Sequence, residues 1–329
     1  MDAREDVVAG RFRLEAAIDS TERYAVWRAV DLRSGARVAF KRLRAPHASD
    51  PALLRRFADE ARFTKMLCSP HVVAWVADGA DAQGPWLALE WIDGVDAAQL
   101  LARRNTALSV SAGLAVGLDL LAALAAAHGP GVEVIHRGVV PSHVLIGNDG
   151  LTRLTGIGLA RHAAHARLGA RDAASDRAVY APPEAVHGDV HGPRGDLYAV
   201  GAVLWELLSG RRLDAYLPTR TSLSHARPPL RRVHSDVPAS IADVVDQALS
   251  LDPLERPPSA SVMAFALRRA AARAGVEPSR DDLSVTVWGA QRLSSEGESR
   301  IGRAQIVRRR YIQTTPTTGV VIPRRIVAA

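Results

Sequence analysis

The chain has 329 residues, 47% of them apolar, which is enough to bury a sizeable core and excludes a wholly disordered chain. Its net charge of +7 raises nucleic acid or an anionic membrane as a partner class. A single cysteine, Cys68, excludes a disulfide framework and a cysteine-based zinc site.

The N-terminal sequence MDAREDVVAG carries acids where a signal peptide carries a basic start and an apolar run. Residues 12–18, 24–31 and 36–43 follow as strands with alternating or β-branched apolar positions, and Arg33-Ser34-Gly35 marks a turn between the last two. Residues 50–67 have helical periodicity: Asp50 suits the N-cap, Pro51 the first turn, and Leu53, Leu54, Phe57, Ala61 and Met66 form the apolar stripe. HVVAWVADG (71–79) and WLALEWIDG (86–94) return to strand character. Helices are expected over 96–104, 110–128, 197–209, 239–251 and 259–274. Between 129 and 196 lies an irregular stretch with short strand-like pieces. The longest apolar segment, 114–128, is broken by Gly117 and Asp119, so it reads as a buried core helix, and no membrane span is expected.

A β-rich front followed by an α-rich back predicts an α+β fold of two lobes with a cleft between them. The expected division is an N-terminal lead over 1–10, a small lobe over 11–93, a large lobe over 94–275, and a basic, largely flexible tail over 276–329 without helical periodicity. Residues 284–293 are the part of that tail that would add a strand or dock on the body. Residues 280–329 hold nine arginines and four acids, so most of the positive charge is in the tail. The lysines are scarce: Lys41 and Lys65 stand beside 40 arginines, so each is a place to look for chemistry.

Several motifs in a fixed order now carry a resemblance. VAFK (38–41) resembles the third-strand motif of protein kinases, and Glu60 in RRFADEAR stands where its helix partner would be. LALEWIDG (87–94) is similar to the segment joining the lobes, YAPPEAV (180–186) to the A-P-E segment, and GDLYAVGAVLWELLSG (195–210) to a buried helix with an N-terminal Asp. LDPLERPPSA (251–260) supplies the arginine that would pair with Glu184. Over about residues 11–272 the chain resembles the protein kinase family, most closely its bacterial Ser/Thr members.

The resemblance implies a bilobal protein kinase-like fold with one long helix in the small lobe. It implies a nucleotide pocket from Lys41, Glu60, Ala39, Val26, Leu145 and the backbone of Glu90 to Ile92, with Leu89 as gatekeeper. It also implies a structural set: His136, Arg137, Glu184, Asp196 and Arg256. Against this, the catalytic loop H-R-D-x-K-P-x-N reads HRGVVPSH, with Gly138 at the general base, Val140 at the lysine and His143 at the metal-binding Asn. The metal-binding D-F-G reads GIG, so Gly156 replaces the Asp. Asp19, Thr21 and Tyr24 fall on the three glycines of the phosphate loop. Loss of a general base alone costs about 10²–10⁴ in rate, and His is a poor ligand for Mg²⁺, which prefers oxygen.

The expectation is therefore a catalytically inactive homologue (pseudokinase), a cytoplasmic regulatory or scaffolding module in Ser/Thr kinase signalling. It would hold no metal, require no cofactor, and allow at most weak, metal-independent ATP binding. The alternative is a divergent ATP-binding Ser/Thr kinase, or another kinase-fold transferase, with residual activity. The expected partner is a protein, an active Ser/Thr kinase or a phosphothreonine-binding protein, reached through 280–329 with Thr314 to Thr318 as modification sites; nucleic acid is not expected. His162, His165, His187 and His191 are read as solvated loop histidines, and Arg137 as structural or paired with Asp172 or Asp176.

Overall fold

The computed structural model describes residues 7–20, 23–104, 106–157, 177–186, 191–213 and 227–292. The small lobe is one antiparallel sheet of β1 (Val7–Val8), β2 (Phe12–Ser20), β3 (Tyr24–Asp31), β4 (Arg37–Leu43), β5 (Trp75–Asp81) and β6 (Gly84–Glu90), in the order β1-β2-β3-β4-β6-β5. Val7 and Val8 pair with β2, so the sheet begins inside the stretch expected to be a lead. HVV before Trp75 is not strand; only an isolated bridge ties Val72 to Leu154.

Strand alternation sorts the sheet into two faces. On one, Phe12, Phe40 and Trp86 pack with ring centroids 5.4–5.6 Å apart. On the other, Leu43, Leu87 and Leu89 pack against Leu53, Phe57 and Ala61 of α1 (Pro51–Met66). Lys41 shares this inner face with Ala39 and Leu43 because the side-chain period is two. Asp50 caps α1 by accepting from the Ala52 and Leu53 amides, and Pro51 occupies the first turn, as its sequence predicts. Glu60 sits on the same buried stripe of α1 as Leu53, Phe57 and Ala61.

The large lobe starts with β7 (Gly94–Asp96), α2 (Ala97–Arg104) and α3 (Val110–His128). β8 (Val144–Gly147) and β9 (Thr152–Leu154) complete a second sheet, β7-β8-β9, whose register sets Leu145 opposite Asp96. α4 (Arg177–Tyr180), α5 (Pro183–Val186), α6 (Pro193–Ser209), α7 (Leu230–Val233), α8 (Ala239–Ala248) and α9 (Ala260–Ala274) follow. α3 is apolar and long enough to cross a membrane by composition, yet it is mostly buried within this lobe.

Both interruptions of its apolar run have packing roles. A Cβ on Gly117 would stand 2.9 Å from Leu204 Cδ1, so the glycine gives α6 close access. Asp119 accepts from the Thr152 amide at 3.0 Å and from Arg280 Nη2 at 2.9 Å.

Arg280 belongs to a further helix, α10, over 280–292; within the expected aperiodic tail the sequence offers 284–293 as a strand or a docked segment, and it docks, as a helix. Ser279 caps it by accepting from the Asp282 amide at 3.1 Å. Leu283, Val287 and Ala290, spaced as i, i+4 and i+7, are fully buried in the large-lobe core. Ser284 donates to the Asn148 carbonyl at 2.6 Å and Gln291 to the Gly94 carbonyl at 3.3 Å, so α10 runs along the outside of the second sheet towards the lobe junction. The large lobe therefore extends to 292.

Candidate functional site

Between the lobes lies a cleft of about 550 Å³. Val26, Ala39, Lys41 and Glu60 reach it from the small lobe, Glu90 and Ile92 from the junction, and His143, Leu145 and Gly156 from the large lobe. The sequence-predicted pocket residues are thus brought together, with Leu89 also on the lining.

Lys41 Nζ donates to Glu60 Oε1 at 2.9 Å and to Oε2 at 2.7 Å, and Glu60 is 1% exposed. The same ammonium lies 4.5 Å from the Tyr24 ring centroid, and that ring stacks on Phe57 at 6.1 Å. Tyr24, on the last of the three glycine positions, thus covers the lysine. Thr21 lies outside the described residues. At the junction, the Glu90 carboxylate accepts from the Ala74 amide at 2.8 Å and lies 3.9 Å from Arg153 Nε.

The loop over 136–143 is held in a strained form. Arg137 has φ +57°, in the left-handed region, which costs a non-glycine residue roughly 1–2 kcal/mol. Asp196 holds it there: its two oxygens accept from the His136 amide at 2.8 Å and the Arg137 amide at 2.7 Å. Burial pushes the Asp196 carboxyl up, but the hydrogen bond from His128 Nε2 leads the effects that hold it below the ordinary value. Glu184 forms a bidentate pair with the buried Arg256 guanidinium, both bonds at 2.8 Å, and Arg256 also donates to the Ser250, Leu251 and Arg194 carbonyls. These contacts make the predicted structural set a clamp on the loop and the segment before α6. Arg137 Nε donates to the His191 carbonyl at 3.4 Å; Asp172 and Asp176 lie outside the described residues, as do His162, His165 and His187.

The catalytic end of the cleft has a different chemistry. His136 Nε2 donates to the Thr155 carbonyl at 3.0 Å, while its Nδ1 accepts from the Gly138 amide at 3.2 Å, which fixes a neutral tautomer. His143 Nδ1 donates to the Gly138 carbonyl at 2.7 Å, leaving Nε2 as the acceptor of that ring. A Cβ on Gly156 would lie 3.0 Å from His143 Cε1 and Nδ1, and Gly156 has φ +78°. The imidazole therefore occupies the space beside residue 156 that a carboxylate side chain there would need. Val140 is buried in the large-lobe core, away from the cleft lining.

Residues in the cleft that the sequence reading missed include Val73, Asp96 and Thr155. Asp96 caps α2 by accepting from the Gln99 amide at 2.8 Å, a signal present as Asp before the run AAQLL. Asp149, in the NDG turn, accepts from the Leu151 amide at 2.9 Å and pairs with Arg153, a turn role.

Mg²⁺ needs oxygen ligands, and the corresponding positions hold Gly138, His143 and Gly156. Among the described residues no group of three His, Cys, Asp or Glu side chains is placed to hold a metal.

The comparisons with known proteins agree with this architecture. The protein kinase domain family matches residues 22–266. The chain is 34% identical over 233 residues to the serine/threonine-protein kinase PknL of Mycobacterium tuberculosis, covering 67% of this chain and 58% of the relative. It is 32% identical over 280 residues to PknA of the same organism, covering 83% of this chain and 64% of the relative, so it spans less than two thirds of either. The crystal structure of the Mycobacterium tuberculosis PknI kinase domain is similar at a TM-score of 0.64 with 25% identity, over 82% of this chain and all of that one. With a family match over most of its length and the two-lobed fold built around Lys41–Glu60, Asp196 and Glu184–Arg256, the chain belongs to the protein kinase domain family.

Proposed function

We propose that the protein is a catalytically inactive member of this family, a pseudokinase that acts as a regulatory or scaffolding module in Ser/Thr kinase signalling. The observation that carries the reading is the catalytic end of the cleft. Gly138 has no side chain to take a proton from a substrate hydroxyl, and His143 fills the space beside Gly156 where a metal-binding carboxylate would stand. Phosphoryl transfer depends on positioning and electrostatics that the metals largely supply. The contacts of the structural set are intact, which speaks for the fold and neither for nor against transfer.

The proposed partner is a protein, an active Ser/Thr kinase or a phosphothreonine reader, in the cytoplasm. It would be engaged through the C-terminal region, where residues 293–329 join seven arginines, two acids and the threonines at 314, 315, 317 and 318. No cofactor is required, and ATP binding, where it occurs, is weak and metal-independent. The intact Lys41–Glu60 pair is the observation that favours the second reading, a divergent ATP-binding kinase with residual transfer.

A single-turnover assay separates the two, with the full chain in excess over radiolabelled ATP and with Mg²⁺ or Mn²⁺. No label on the chain or on a generic substrate is expected. Transfer that disappears in Lys41→Ala overturns the proposal. Pull-downs with the full chain and with residues 1–292 test the partner reading, because a cut after 292 keeps α10 in place.

A further inference from the structure

Away from the cleft, positive charge gathers on the outward face of α9. The helix is fixed at both ends: Ser259 accepts from the Val262 amide at 3.2 Å, and Gly275 closes it at φ +65°. Met263, Leu267, Ala270 and Ala271 bury its inner face in the large-lobe core, and Ser240 of α8 donates to the Ala270 carbonyl at 2.9 Å. Helical periodicity sorts the outer face into two neighbouring rows, one with Phe265 and Arg268, the other with Val262, Arg269 and Arg273. Each row is apolar towards the N-terminus and basic towards the C-terminus. Phe265 is 61% exposed and Val262 46%. The Arg269 guanidinium lies 5.8 Å from the Phe265 ring centroid. Among the described residues no carboxylate pairs with any of the three arginines, and residues 259–274 contain no Asp or Glu. A cation in the last turn of a helix is favourable in itself, which accounts for Arg273. It does not account for Arg268 and Arg269, which precede that turn, or for an aromatic ring left in water beside them.

The occupant of this face must accept a convex surface one helix wide. A specific protein interface takes about 800 Å² from each partner, with complementary shape, and two apolar side chains on a single helix fall short of that. A bilayer sets no such requirement: apolar side chains enter the headgroup layer while guanidinium groups meet lipid phosphates and anionic headgroups. We infer that the outward face of α9 docks on an anionic lipid bilayer. Phe265 and Val262 insert, and Arg268, Arg269 and Arg273 select for negative charge. No residue of α9 lines the cleft, so this surface works whether or not the protein transfers phosphate.

The test is co-sedimentation of the full chain with vesicles of phosphatidylcholine alone, and of phosphatidylcholine and phosphatidylglycerol in equal parts. Binding to the mixed vesicles and not to the neutral ones is expected. Residues 293–329 add seven arginines that are drawn to the same vesicles, so two variants that leave them untouched isolate α9. Arg268→Gln/Arg269→Gln/Arg273→Gln is expected to weaken binding to the mixed vesicles about tenfold. Phe265→Ser, which keeps every charge, is expected to weaken it about fivefold. The substituted side chains are all exposed, and circular dichroism confirms that both variants keep the fold. Failure to bind the mixed vesicles overturns the inference, as does equal binding to both kinds or an affinity that either variant leaves unchanged. Polyglutamate offers negative charge without a headgroup layer, and its binding is expected to be insensitive to Phe265→Ser. A polyglutamate affinity that falls in Phe265→Ser as far as the vesicle affinity does would overturn the lipid assignment in favour of an acidic protein.

Discussion

Lys41 is one of two lysines in an arginine-rich chain, and the account gives it a structural task. Substituting Lys41→Ala leaves the Glu60 carboxylate in a site where it is 1% exposed, stripped of the ammonium that donates to both its oxygens. Breaking a buried pair from one side in this way costs about 3–5 kcal/mol. For a chain of this size that corresponds to a fall in melting temperature of roughly 10 °C. Replacing both partners by apolar side chains, Lys41→Met/Glu60→Leu, removes the stranded charge and is expected to fall within about 1–2 kcal/mol of the unsubstituted chain. Urea titration followed by circular dichroism measures all three. A single variant that loses less than about 1 kcal/mol, or a double variant as unstable as the single one, would refute the reasoning.

Other parts of the structure give further predictions. Leu283→Ala on α10 opens a cavity in the large-lobe core and is expected to cost about 2–5 kcal/mol, and ending the chain after 279 is expected to lower the melting temperature further than ending it after 292; equal melting temperatures for the 279 and 292 truncations would contradict the docking of α10. Gly156→Asp places a side chain at φ +78° and against the His143 ring, so a loss of about 1–3 kcal/mol is expected and the double variant Gly156→Asp/His143→Asn should recover part of it; thermal unfolding that orders the two variants the other way would count against the packing. Burial lowers the His191 pKa below its ordinary 6.5, with Arg137 and Arg256 acting in the same sense and Asp196 and Glu184 opposing. The unfolded chain then takes up this proton first, so the wild type should lose stability relative to His191→Gln as pH falls through about 6.5. Parallel urea midpoints for the two chains from about pH 7 to 5 would show that His191 does not titrate as argued.

The fold was legible because its anchors are residues of marked chemistry at long separations. Lys41 and Glu60, Glu184 and Arg256, and Asp196 with the amides of His136 and Arg137 meet as their motifs imply. The cleft was legible where strand alternation fixes a face, as for Ala39 and Lys41, and less so where a side chain reaches it from another element. Asp96 read as the first residue of a helix, and its place on the cleft lining depends on the β7–β8 register. α10 escaped for a physical reason. Val285, Thr286 and Val287 are β-branched and lower helix propensity, and its buried stripe has only three positions. Tertiary contacts hold it in place: the burial of Leu283, Val287 and Ala290, and the Arg280–Asp119 bond, a pair 161 residues apart in sequence. Asp119 looked like a break in an apolar helix because its partner was out of view.

The central physical claim is that the catalytic end of this cleft cannot hold the metal ions that phosphoryl transfer needs. Its most direct test is an electron paramagnetic resonance titration of Mn²⁺ into the full chain with ATP present. The account predicts that the Mn²⁺–ATP signal is the same with and without the protein. A protein-dependent broadening that disappears in His143→Ala or Lys41→Ala would contradict it.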